Sequence, residues 1–193
     1  AARGARGLGG GGVATLTGTY TDIGLLDAHT LTVDWDDPNN GLDSTFAVNA
    51  IRNAAGTATL HVGDTFNSST DSAILTITSI DATTGKVGYS VQHQYLDDGL
   101  ALGNNTASDA STIGVTVADD DAQSGSETVT LTVHNFAPAL VLNAVPDINE
   151  NGVATLTGNY TDIGKLDAHT VTVDWDDPNN SLDSTFAVTA IQT

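Results

Sequence analysis

The feature that most constrains this chain is an internal repeat. Residues 13–51 (VATLTGTYTDIGLLDAHTLTVDWDDPNNGLDSTFAVNAI) return 140 positions later at 153–191. Of these 39 positions only five differ: Thr19/Asn159, Leu25/Lys165, Leu31/Val171, Gly41/Ser181 and Asn49/Thr189. Two segments this alike must favour one local structure, and near-identity at a fixed period is the mark of a tandem array. Residues 1–12 (AARGARGLGGGG) share only their last Gly with 141–152, so they read as an unrelated Gly/Arg tail or an appended stretch. The expected division is therefore a tail at 1–12, a repeat unit at 13–138 with an insertion near 52–85, and the N-terminal half of the next unit at 139–193. Half a unit exposes unpaired strand edges and half a core. The expectation is that more of the same protein, or a neighbouring chain, completes it.

Apolar residues alternate with polar ones at a period of two along most of the chain, which predicts half-buried strands. The candidates are 13–20, 29–35, 45–51, 57–62, 73–80, 86–95, 112–118 and 128–134, followed by 139–145, 153–160, 169–175 and 185–191. Turn sequences such as DDPNN, TTGK, LDDG and DDDAQSG separate them. No segment carries an apolar stripe at helical spacing. Short strands at this spacing predict an all-β chain folded as an antiparallel β-sandwich. Trp35 and Trp175, at the same position of the two copies, are expected to fill the space between two sheets.

The run GTYTDIGLLDAHTLTVDWDDPNN resembles the pattern GTYTDPGxxDTHTVTVDWGDG of PKD-type, cadherin-like immunoglobulin-fold repeats. HQYLDDG at 93–99 is similar to that family's HTYADNG. VTVADDDAQSGSETVTLTVHNFAP at 115–138 is similar to its VTVTDDDGGxxxxTVTVTVNNVAP. The resemblance covers most of 13–193, with DDPNN standing where the family has GDG. It implies an immunoglobulin-like sandwich in tandem, of the kind found in large secreted or cell-surface bacterial proteins, including adhesins, and in spacers of extracellular hydrolases.

Charge narrows the partners. The chain has 24 Asp and Glu against 5 Lys and Arg, a formal net charge of −19. Nucleic acid and anionic membrane both need a basic footprint, so neither is expected as a partner. No apolar run approaches the ~18–20 residues of a membrane span. Cations are the natural partners. In a sandwich of the implied topology, loops 21–29 and 119–125 share one pole. The opposite pole carries 36–41, 97–99 and the loop 147–152. The connector NFAP then brings Asp162, Asp167 and His169 of one unit towards Asp36, Asp37, Asp97 and Asp98 of the unit before. Acidic groups at such a junction repel unless neutralised. Ca²⁺ suits them, since it takes 6–8 oxygen ligands in flexible geometry, whereas Mg²⁺ demands a strict octahedron. The candidate cation ligands are Asp22, Asp27, Asp119, Asp120 and Asp121, the equivalents Asp162 and Asp167, and Asp36, Asp37, Asp97, Asp98 and Glu150. The competing explanation is a solvated acidic surface suited to high salt.

Other chemistry finds little support. There is no Cys, which removes disulfides, thiolate metal sites and thiol nucleophiles. Asp34 and Asp36 begin an EF-hand-like spacing, but Pro38 breaks it and no Glu closes it. Paired carboxylates in turns, without an aromatic-lined cleft, do not make a glycosidase. His29 and His169 are expected to bond a loop carboxylate, while His61, His93 and His134 lack ligand spacing. Tyr95 is expected to make a buried hydrogen bond of the tyrosine-corner type. Asn67, Asn104 and Asn159 open weak glycosylation sequons, and nothing points to a Lys–Asn crosslink at Lys86 or Lys165. The expectation is a non-enzymatic, extracellular or cell-surface structural repeat, partnered by other copies of itself. Fibre assembly is expected where strand 139–148 of one chain fills a missing first strand of another. Alternatives are an adhesin or carbohydrate-binding module using 52–85, whose one aromatic is Phe66, and an S-layer-type lattice protein of a halophile.

Overall fold

The computed structural model describes residues 8–190; the remaining tail residues 1–7 and the last three of the chain, which include the end of the predicted strand 185–191, lie outside the described residues. The described residues form thirteen strands and no helix. They are β1 (Leu8–Gly9), β2 (Val13–Thr21), β3 (His29–Asp34), β4 (Ser44–Val48), β5 (Thr65–Asn67), β6 (Ile74–Asp81) and β7 (Lys86–Gln94). Then follow β8 (Ser108–Asp119), β9 (Ser124–His134), β10 (Ala139–Leu142), β11 (Gly158–Thr161), β12 (His169–Val173) and β13 (Ser184–Val188).

The first copy builds two sheets, ordered β1-β9-β8-β3-β4 and β2-β7-β6-β5. All pairings are antiparallel except the short parallel match of β1 with β9. The alternation in sequence becomes alternation in burial. In β3 His29, Leu31 and Val33 point inward while Thr30 and Asp34 do not, and in β2 Ala14 and Leu16 are buried between exposed neighbours. Both sheets contribute to one core, with Leu16, Ile77, Val87 and Val91 from one side and Leu31, Phe46, Ile113 and Leu131 from the other. Each such side chain contributes roughly 1.5–3 kcal/mol by leaving water, and every fully buried large residue lies between 14 and 133. Trp35 fills the core as expected, and its Nε1–H donates to Ser44 Oγ at 2.8 Å.

Four expectations need correction. Segment 57–62 is not a strand: it contributes one isolated bridge, Arg52 with Ala58, and a single buried anchor, Leu60. Asn53 Oδ1 accepts from the backbone N–H groups of Ala55 and Thr57 and Gly56 takes φ +78°, which makes a turn just before the segment, and Asp64 N–H donates to His61 O in a second turn that ends it. The strand of this region is instead β5. In the tail, Leu8–Gly9 pairs along Val133–His134, Gly10 N–H donates to His134 O, and Gly12 O accepts from Tyr95 N–H. Residues 8–12 are thus laid onto the sandwich.

The same pairing fills the first-strand position beside β9 that was expected to be open. The segment expected to fill it elsewhere, β10, pairs within its own copy to β11. Finally, Trp175 is 44% exposed. The second copy has only the ladders β10–β11 and β12–β13, so no opposing sheet covers that indole, and 153–157 forms no strand because a counterpart of β7 is absent among the described residues.

Candidate cation sites at the two poles

The loop joining β2 to β3 is organised by Asp22. Its Oδ1 accepts from Gly24 N–H at 2.8 Å and its Oδ2 lies 3.0 Å from His29 Nε2. These bonds hold the Asp22 carboxyl below the usual range. The Asp27 carboxylate lies over Gly24, so a larger residue there would push that carboxylate aside. The second copy repeats the arrangement: Asp162 bonds Gly164 N–H at 3.0 Å and His169 Nε2 at 2.8 Å. Both histidines have the expected structural role. Facing this loop, Asp119 Oδ1 accepts from Gln123 N–H and leaves Asp120 and Asp121 exposed at the turn. Burial raises the Asp27 carboxyl, and the charges of Asp120, Asp22, Asp121 and Asp119 add to the rise. The pole therefore gathers the five acids that the sequence grouped.

At the opposite pole the acids divide. Asp36 and Asp37 are structural. Asp36, at φ +49°, accepts from Thr112 N–H through Oδ2 at 2.7 Å. Asp37 is buried, with Oδ2 2.8 Å from His93 Nε2, and its Oδ1 accepts from Asn39 N–H. His93 stacks on Trp35 at 4.7 Å and meets the edge of Tyr95 at 4.9 Å. The Tyr95 hydroxyl donates to Trp35 O at 2.6 Å. The buried bond expected of Tyr95 exists, but its acceptor is the other sheet's strand end, sixty residues away. Nothing in the QYLDDG motif alone identifies that acceptor.

Asp97 and Asp98 behave differently. They are 3% and 7% exposed, and the Oδ2 atom of each is buried without a hydrogen-bond partner. Asp98 N–H donates to Asp97 Oδ1 at 2.7 Å. Burial pushes the Asp98 carboxyl up to about 6, with Asp97 and then Asp109 adding to the rise. The loop 162–168 of the second copy docks here. Leu102 and Asp167 pair as an isolated parallel bridge, Leu166 is buried, and Gly10 lies against the backbones of both Asp97 and Gly164. The Asp167 carboxyl is likewise raised, by burial first and then by Asp97 and Asp162.

At the junction between the copies Asp167 thus meets Asp97, whose neighbour Asp98 lies beside Asp109. Asp162 stays bound to His169, Asp36 and Asp37 are tied into the first copy, and Glu150 sits apart in the exposed turn 149–152. Among the described residues each ion pair uses a histidine and none uses Lys or Arg. No three acidic or imidazole groups there already surround a common point as a metal cage would. What the junction holds is a row of acceptors facing acceptors: ionised carboxylates cannot donate. A proton or a cation between them turns that repulsion into a bond.

Two open clefts flank these poles. One of about 630 Å³ runs past Tyr20, Asp22, Lys86, Asp119 and Glu127, and another of about 500 Å³ past Asp36, Asp43, Asp98 and Asp109. Neither is lined by segment 52–85, where a ligand site was expected under the binding-module alternative.

Fold and sites together define an all-β protein with antiparallel sheets and acid-lined poles. Comparison with protein-family models, curated proteins and solved structures gives no match.

Proposed function

We propose that this chain is a structural repeat: an immunoglobulin-like, PKD-type unit of a long extracellular or cell-surface array, without catalytic activity, whose joints are stiffened by Ca²⁺. One observation carries the reading. The second copy's loop docks on the first copy with Leu166 buried and Asp167 brought towards Asp97 of the buried Asp97–Asp98 pair, and among the described residues no Lys or Arg forms an ion pair there. A joint built this way is stable only when its charge is neutralised, because an uncompensated buried charge costs several kcal/mol. Calcium fits by chemistry: all the donors are oxygen, from carboxylates and the loop carbonyls nearby, and its coordination tolerates irregular loops.

The sheet orders support the immunoglobulin-like part of the reading. β2-β7-β6 and β9-β8-β3 reproduce the two-sheet strand neighbours of such sandwiches, and β4 flanks β3 as an extra edge. The 140-residue repeat and the head-to-tail contact it makes support an array, with other copies of the unit as the partners. The surface is suited to neither nucleic acid nor anionic membrane.

Calorimetric titration of the chain with CaCl₂ tests the proposal. Binding in the range of extracellular modules, on the order of 10⁻⁴–10⁻³ M, should disappear in the Asp97→Asn/Asp98→Asn double variant. Heat of binding that survives that variant and vanishes in Asp119→Asn/Asp120→Asn/Asp121→Asn would move the site to the free pole. No heat in any variant would remove calcium and favour a salt-adapted acidic surface.

A further inference from the structure

We propose that residues 52–134 have two seats within this chain: they can close the sandwich either on 13–51, as observed, or on the near-identical 153–191. The two seats share 34 of 39 residues. They also share backbone geometry. β3 pairs with β4 from His29↔Val48 to Val33↔Ser44, β12 pairs with β13 from His169↔Val188 to Val173↔Ser184, and both Asp36 and Asp176 take φ +49°. What differs is cover. Phe46 is fully buried and its equivalent Phe186 is 55% exposed; Trp35 and Trp175 differ in the same way. The first seat therefore shows what the second is shaped to receive: β6 to β9, with the strands' own apolar faces.

Exchange is sterically open because the ends of the unit meet. His134 O accepts from Gly10 N–H at 2.8 Å, and Val13 is only three residues further, at most about 11 Å of chain. To place Val153 where Val13 now sits, residues 135–152 must cover that short gap, and eighteen residues reach about 60 Å when extended. Adjacent ends are the condition under which a fold tolerates a permuted order of its parts. Exchange releases 13–51 and removes the pairing of Leu8–Gly9 with β9.

Two of the five differences decide which seat wins. Leu31 is fully buried, and Val171 in its place loses a methylene, favouring the first seat by roughly fivefold. Leu25 packs against the core, and Lys165 in its place must keep an ammonium in water. The remaining three differences, at 19, 41 and 49, fall on residues that are not buried. This holds whether or not a cation occupies the joint.

The test exchanges the deciding residues in the full chain: Leu25→Lys and Leu31→Val together with Lys165→Leu and Val171→Leu. In a Trp35→Phe background the one remaining indole is Trp175. The swap should move its emission to the blue and reduce acrylamide quenching several-fold. In the companion Trp175→Phe background the swap should make Trp35 quenchable. Trp175 left fully quenchable by the swap overturns the proposal, whether Trp35 stays protected, meaning the first seat is kept, or becomes exposed too, meaning neither seat closes; Trp175 already protected in the Trp35→Phe background supports it, because that change weakens the first seat.

Discussion

Leu26 and Leu166 are the same residue of the same loop in two copies, yet Leu26 is 57% exposed while Leu166 is 8% exposed. The difference is the neighbour: on either side of Leu166, Asp167 bridges Leu102 and Gly164 lies against Gly10, and no counterpart of these contacts is made by the loop of Leu26 among the described residues. Contact between copies, and not intrinsic loop structure, buries this side chain.

Replacing each leucine by serine separates the two situations. Leu26→Ser should leave stability within about 0.5 kcal/mol of the parent, as for most surface changes. Leu166→Ser should cost the contact roughly 2 kcal/mol and loosen loop 162–168, read as faster amide exchange at Gly164–Asp167 with the protection of β7 and β8 unchanged. Equal effects of the two changes would show that the contact contributes nothing.

Acidity should act on the joint through Asp98. Its carboxyl is raised in the folded chain to about 6, against about 3.9 unfolded, so the folded state binds the proton more tightly. The stabilisation is complete below the unfolded value and is lost as pH rises through about 6. In metal-free buffer, thermal melts should show the parent losing about 1–2 kcal/mol more than Asp98→Asn between pH 4 and 7, a figure already reduced for solvent screening. Parallel curves would contradict this. The depressed carboxyls Asp22, Asp71 and Asp81 lose their stabilisation on acidification, mainly below the usual carboxylate range, and so outside this window.

Asp37 should be structural. Asp37→Ala leaves buried His93 Nε2 and the Asn39 N–H without their acceptors, which costs about 2–4 kcal/mol. The loss should appear in chemical unfolding, with the protection of loop 162–168 against amide exchange unchanged in the surviving folded fraction.

Much of this was legible from the residues, for identifiable reasons. Alternation placed Leu31, Val33 and Phe46 inside, because a half-buried strand leaves that pattern whatever its partners. The grouping of Asp22 and Asp27 with 119–121 followed from the pole they share. Legibility stopped where a residue's fate depends on distant chain. Trp175 has the sequence of Trp35 but lacks an opposing sheet. TATLHV alternates like a strand, yet no strand lies alongside it. Leu8–Gly9 looks like featureless tail, and pairs because β9 offers an edge. Asp37 and Asp98 both read as loop acids, but one finds His93 and the other lies beside Asp97 and Asp109.

The most direct test of a cation-stiffened joint is thermal unfolding of the full chain at neutral pH in calcium, in magnesium, and in EGTA at matched ionic strength. The account predicts a higher midpoint in millimolar calcium alone, since a ligand held only by the folded state stabilises it by mass action, and no shift in Asp97→Asn/Asp98→Asn. Equal midpoints in calcium and EGTA, with stability following total salt, would contradict it.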